Sequence, residues 1–171
     1  MMDKSFYSND VLEVAPALVG AELVRTLPDG SEKRLLITQT EAYAGAADTA
    51  CHASKGRTKR SETLYHAGGT IYVYLCYGMY WMLNIVTGRE NDPQGVLIRA
   101  CAGADGPGKL TRALSIDGSL NDRSILSCPE LRIEPAAGEV NIITDKRVGI
   151  NYAAPEDRDR LWRFILDARG Q

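Results

Sequence analysis

Residues 69–88 hold two strand-forming runs, TIYVYLCYG and YWMLNIVTG, divided only by Gly78-Met79. A crossover between parallel strands needs a dozen or more residues, so these runs must pair antiparallel as a hairpin with a tight tip. The aromatic residues gather there. Of twelve Phe, Trp and Tyr, six lie between Tyr65 and Trp81. Residues two apart on a strand share a face, so Tyr72 and Tyr74 project together, while Tyr77 and Tyr80 fall at or beside the tip. Tyrosine forms strands well and most of these rings can simply pack. A tip reading Tyr77-Gly78-Met79-Tyr80 is different, because a loop tip has no core to fill.

The rest of the chain continues the antiparallel theme. AELVRTL and KRLLITQTEAY flank Pro28-Asp29-Gly30, a turn between two β-rich runs, and so form another hairpin. GVLIRAC is a further strand. Brief strands are expected at VNIIT, RVGI and WRFIL. Ser8-Asn9-Asp10 supply N-cap residues for a short helix over Val11, Leu12, Val14 and Ala15, kinked or restarted at Pro16. KLTRAL after Pro107-Gly108 reads as a second short helix, and Asn121-Asp122-Arg123 as a cap or turn. Strands joined mainly by hairpins give an α+β fold: one domain over residues 1–171, a curved antiparallel sheet with flanking helices and a protruding aromatic hairpin.

Composition sets limits. With 171 residues, 44% hydrophobic and 25% charged, the chain suits a single core. No apolar run approaches the ~20 residues of a membrane span, and the N-terminal segment lacks the apolar stretch of a secretory signal, so an intracellular protein with no membrane partner is expected. Cys51, Cys76, Cys101 and Cys128 stand about 25 apart, and the only histidines are His52 and His66. That spacing argues against a zinc cluster or a disulfide scaffold; no metal and no cofactor are expected. Nothing marks a strong dimer, so a monomer is expected. A formal charge of −2 does not recommend nucleic acid. The exception is Lys55, Arg57, Lys59 and Arg60, four cations in six residues: a solvated loop or a phosphate-contacting one.

Three polar residues stand out on apolar strands. Glu41 and Tyr43 share a face after Leu35-Leu36-Ile37; taken alone, Glu41 is a solvated strand end or a functional group. Arg99 in GVLIRA needs a carboxylate, because an unpaired buried charge is unfavourable, and Glu41 is the candidate. Asn84 in WMLNIV must find hydrogen bonds or a role.

Together TEAYAGAADTACH (40–52), GTIYVYLCYGMYWMLNIV (69–86), GVLIRA (95–100), GPGKLTRALSI (106–116) and RVGI (147–150) resemble the alkyladenine (3-methyladenine) DNA glycosylases of the mammalian, non-helix-hairpin-helix type. The match covers nearly the whole chain in order. The resemblance implies that Glu41 is the base activating the attacking water and that Arg99 holds Glu41 and that water. It makes Tyr43, His52 and Tyr74 the stacking walls around a flipped purine. Asn84 would crowd the exocyclic amine of normal guanine. Tyr77 would fill the gap left by the extruded nucleotide, with Met79 beside it, and Arg57 and Lys109 would contact phosphate. The partner implied is double-stranded DNA carrying damaged purines. The chain departs from many relatives at Arg60-Ser61, Leu64-Tyr65 and Gly68-Gly69, and its connection from Arg99 to Gly106-Pro107 is shorter than in the mammalian enzymes. These differences bear on substrate range.

Cleaving a purine N-glycosidic bond passes through an oxocarbenium-like sugar, which a carboxylate both stabilises and helps water attack. No lysine falls on the active strand, so the implied reaction is hydrolysis that leaves an abasic site, not Schiff-base strand cleavage. Two other readings stand beside it: a damaged-DNA binding module without chemistry, and a hydrolase of free nucleosides or RNA.

Overall fold

The computed structural model describes residues 2–170. Two short helices, α1 (Lys4–Tyr7) and α2 (Val11–Ala17), precede a hairpin of β1 (Glu22–Thr26) and β2 (Glu32–Tyr43). The aromatic hairpin is β3 (Ile71–Cys76) and β4 (Tyr80–Thr87), followed by β5 (Gln94–Cys101) and helix α3 (Pro107–Ala113). The chain then adds β6 (Leu131–Glu134), β7 (Ile142–Asp145), a helical turn α4 (Pro155–Arg158) and β8 (Arg163–Leu166). This is the expected α+β fold.

All strand pairs are antiparallel, in the order β3-β4-β5-β2-β1-β6. The twelve-residue β2 organises the sheet. Its first half pairs with β1; its second half lies between β5 and β8, with β7 beyond β8. The register shifts between Ile37 and Thr40, and a bulge there bends a strand and curls its sheet. Beyond the bulge the two faces divide. Thr40 hydrogen-bonds the Ala15 carbonyl of α2 at 2.7 Å, and Ala42 joins the main core with Val14, Ile85 and Ile98. Glu41 and Tyr43 therefore project from the other face.

Several local expectations need correction. α2 runs through Pro16, which falls in the last turn; Leu18 N–H still reaches the Val14 carbonyl at 3.1 Å, so the helix does not restart. Residues 147–150 form no strand, because the Val148 N–H goes to a carboxylate rather than to a neighbouring strand. The hairpin tip is centred on Tyr77-Gly78, one residue earlier than Gly78-Met79: both have positive φ, 52° and 65°, and Met79 N–H closes the turn on the Cys76 carbonyl at 3.0 Å. Two consecutive left-handed residues match the twist of a hairpin. Placing tyrosine in one of them stores backbone strain of about 1 kcal/mol or more. α3 braces the base of this hairpin. Thr111 donates to the Trp81 carbonyl at 2.9 Å, and a Cβ on Gly108 would lie 2.8 Å from the Tyr80 ring, so only glycine permits the approach. At Gly68, a Cβ would meet the Tyr7 carbonyl oxygen at 2.1 Å, so the close approach of the two backbones requires glycine.

Candidate active site

Strand register builds one row of side chains across four strands. Tyr72 on β3 pairs with Asn84 on β4, Asn84 with Leu97 on β5, and Leu97 with Glu41 on β2. Two further rows flank it on opposite sides: Tyr74 stands opposite Met82 in one, and Tyr43 opposite Gly95, itself opposite Val86, in the other. Arg99, two residues beyond Leu97, shares its face and lies diagonal to Glu41. Their charges meet with Arg99 Nε 3.6 Å from Glu41 Oε1. The pairing argued from charge alone holds.

Glu41 has no accessible surface. Its Oε1 accepts from the Val148 N–H at 2.8 Å and its Oε2 from the Tyr43 hydroxyl at 2.8 Å. Burial pushes its pKa above the ordinary carboxylate range, and the Val148 N–H, Tyr43, Arg99 and Arg147 oppose that rise. The carboxylate sits just beneath the wall of a cleft of about 590 Å³, whose lining includes Tyr43, His52, Tyr74, Tyr77, Arg99 and Val148. A tighter recess of about 40 Å³ opens over Gly95, between Tyr43, His52, Leu64, Tyr72 and Asn84. The missing side chain at Gly95 makes the space; Leu64 closes its floor, 3.1 Å from where a Cβ would stand.

The aromatic walls are held in place by hydrogen bonds. The Tyr72 hydroxyl donates to the Arg60 carbonyl at 2.9 Å, so its oxygen accepts from His52 Nδ1, also at 2.9 Å. The proton therefore resides on Nδ1 and Nε2 remains an acceptor. Burial, with Arg60 and Lys55 nearby, lowers the His52 pKa to about 4, and the ring is neutral at pH 7. His52 packs edge-on against Tyr74, centroids 4.7 Å apart, and the Arg60 guanidinium lies 5.3 Å from the Tyr74 centroid. Asn84 donates to the carbonyls of Tyr72 and Met82 at 3.2 and 3.4 Å, leaving its oxygen for the recess. Glu41, Arg99, Tyr43, His52, Tyr74 and Asn84 are thus brought together.

The residues expected to face DNA lie further out. Tyr77 is 87% and Met79 66% exposed at the tip, and Lys109 is exposed on α3 beside the hairpin base. Arg57 is already occupied: its Nε and Nη2 donate to Glu62 at 2.8 and 2.7 Å, its Nη1 to Asn91 at 2.9 Å, and it covers the Tyr65 ring. Lys55, Lys59 and Arg60 have no carboxylate partner among the described residues, and Lys55 and Arg60 line the cleft.

A model of the Methylpurine-DNA glycosylase family matches residues 5–105 and 101–169. The chain belongs to this family. Among curated relatives it is 41% identical to a protein of Borreliella afzelii, over 97% of this chain and 96% of that one. It is also 41% identical to a protein of Methanocella arvoryzae (96% and 91%) and 40% identical to one of Legionella pneumophila (96% and 93%). Each of the three carries the name "Putative 3-methyladenine DNA glycosylase". Membership of the family makes the chain a DNA glycosylase. No helix among the described residues is long and apolar enough to cross a membrane.

Sequence reasoning missed three parts of this site. Val148 bonds Glu41, Arg147 lies behind Tyr43, and Tyr152, 66% exposed, is pinned at the cleft mouth by donating to the Ala50 carbonyl at 2.8 Å. The run RVGI marked the first two, as an expected strand and as part of the family resemblance, and no feature singled out Tyr152.

Proposed function

We propose that this chain, as one domain and a monomer acting on chromosomal DNA inside the cell, flips alkylated or deaminated purines out of the duplex and hydrolyses their N-glycosidic bond. The observation that carries this reading is the placement of Glu41: a buried carboxylate of raised pKa, hydrogen-bonded on both oxygens, directly beneath an aromatic cleft that leads to an exposed tyrosine tip. The raised pKa moves Glu41 toward the range of an effective base at neutral pH. The carboxylate activates the attacking water and stabilises the developing positive charge on the sugar.

Tyr43, His52 and Tyr74 stack on the extruded base. A neutral His52 suits this task, because purines alkylated at N3 or N7 are cationic and an imidazolium would repel them; aromatic faces attract such cations. Asn84, on the wall of the recess, crowds the exocyclic amine of guanine in this reading. Flipping costs a few kcal/mol, least at damaged pairs. Tyr77 and Met79 offset part of this by filling the vacated stack, and Lys109 contacts phosphate. Arg57 reaches phosphate once Glu62 releases it. With few free cations near the cleft, binding has a shallow salt dependence. Abasic DNA is the product, and no lyase step follows.

The test is a duplex with one hypoxanthine, incubated with the protein and treated with alkali. Strand scission only after alkali supports hydrolysis without lyase activity. Binding without scission leaves a recognition module, and release of hypoxanthine from free inosine leaves a nucleoside hydrolase.

A further inference from the structure

Arg147 is fully buried and uses four hydrogen bonds to join parts of the chain distant in sequence. Nη1 donates to the Ala42 carbonyl at 2.9 Å and to Asp48 Oδ2 at 2.6 Å; Nη2 donates to Asp48 Oδ1 at 3.0 Å and to the Asp157 carbonyl at 3.1 Å. Its guanidinium is flanked by the rings of Tyr43 and Trp162, at 4.8 and 5.0 Å from their centroids. Both hydrogen bonds that orient Glu41 come from groups that Arg147 holds. Val148, next in the chain, supplies the N–H to Oε1; Tyr43, against the guanidinium face, supplies the hydroxyl to Oε2.

We propose that Arg147, paired with Asp48, is the positioning residue of the reaction: it fixes Val148 and Tyr43 so that the Glu41 carboxylate is aimed and held ready as a base. Arg147 touches no reacting atom. A fork of this kind is specific to arginine, whose planar donors serve several acceptors while the faces stack on rings. The pairing with Asp48 has a second consequence, because it tempers the positive charge that Glu41 experiences. The groups facing Glu41 are Tyr43 from β2, Arg99 from β5, and Arg147 with the Val148 N–H from the segment after β7. Arg163, opposite on β8, is committed to Asp145 and Gln39.

This inference rests on Glu41 being the base, and the experiment separates the two. Single-turnover release is measured against pH on a duplex bearing 7-methylguanine, a leaving group that needs no proton, so the acid limb reports the base. Asp48→Asn leaves Arg147 charged but unneutralised and moves the limb to lower pH by about half a unit. Asp48→Asn with Arg147→Met removes both charges, which avoids an unpaired buried ion. It moves the limb above that of wild type by a similar amount and lowers the plateau rate about 10- to 100-fold, the scale of a small misplacement of a catalytic group. Duplex affinity stays within about twofold of wild type. If both proteins melt earlier but keep the wild-type limb and plateau, the Arg147–Asp48 pair is structural only and the proposal is overturned. If Glu41→Gln is fully active on the same duplex, the base assignment itself has failed.

Discussion

The tip of the aromatic hairpin and the end of β2 use the same sheet in opposite ways. At the tip, Tyr77 is almost wholly exposed, sits in a left-handed conformation and touches no core; at the strand end, Glu41 has no exposed surface and both oxygens are bonded. Neither is the arrangement stability alone would favour. An exposed aromatic in a strained turn gains nothing from burial, and a buried carboxylate loses its hydration. The tip is therefore cheap to change for the fold, whereas the strand end is coupled through Tyr43, Val148 and Arg147 to much of the C-terminal half.

Four predictions break or sharpen this contrast. Glu41→Gln should have the largest effect, lowering single-turnover release of hypoxanthine by about 10²–10⁴-fold, the usual worth of a general base. Because glutamine fills the same volume without a buried charge, its melting temperature should not fall below that of wild type. His52 comes next, through stability. Its folded pKa of about 4 lies below the unfolded value of 6.5, so the folded state resists protonation. The stability associated with a neutral His52 is complete above pH 6.5 and is lost as pH falls toward 4, on the order of 3 kcal/mol in all. Urea unfolding from pH 7 to 4 should show that loss in the wild type and a flatter profile in His52→Gln.

Tyr77→Ala should weaken binding to a damaged duplex by about 1–3 kcal/mol, roughly 5- to 150-fold, while its melting temperature stays unchanged; an equal loss of stability would mean that the tip is part of the core. Asn84→Ser should have the smallest effect: a severalfold rise in excision of undamaged guanine, measured on a lesion-free duplex treated with alkali. No rise would remove the steric gate.

What was legible in the sequence was local. Both hairpins, the helix after Gly106 and the face shared by Glu41 and Tyr43 follow from turn residues and period-two spacing, which a few neighbouring residues decide. The Glu41–Arg99 pair was legible because a charge in an apolar strand demands a partner. β6 was not. Leu131–Glu134 is four residues long and carries Arg132 and Glu134, whose ion pairs with Glu32 and Arg34 join it to the neighbouring hairpin from a distance in sequence. The Arg147–Asp48 pair was hidden for the same reason, since nothing near either residue announces a partner 99 positions away. Turning RVGI from an expected strand into a site element took one carboxylate capturing one N–H.

The division of labour between tip and strand end is tested most directly in one sample: excess Glu41→Gln protein mixed with a duplex bearing a single hypoxanthine, with the bound fraction and the alkali-cleaved fraction read from the same tube. The account predicts full binding with almost no cleavage. Wild-type cleavage by this protein would contradict it.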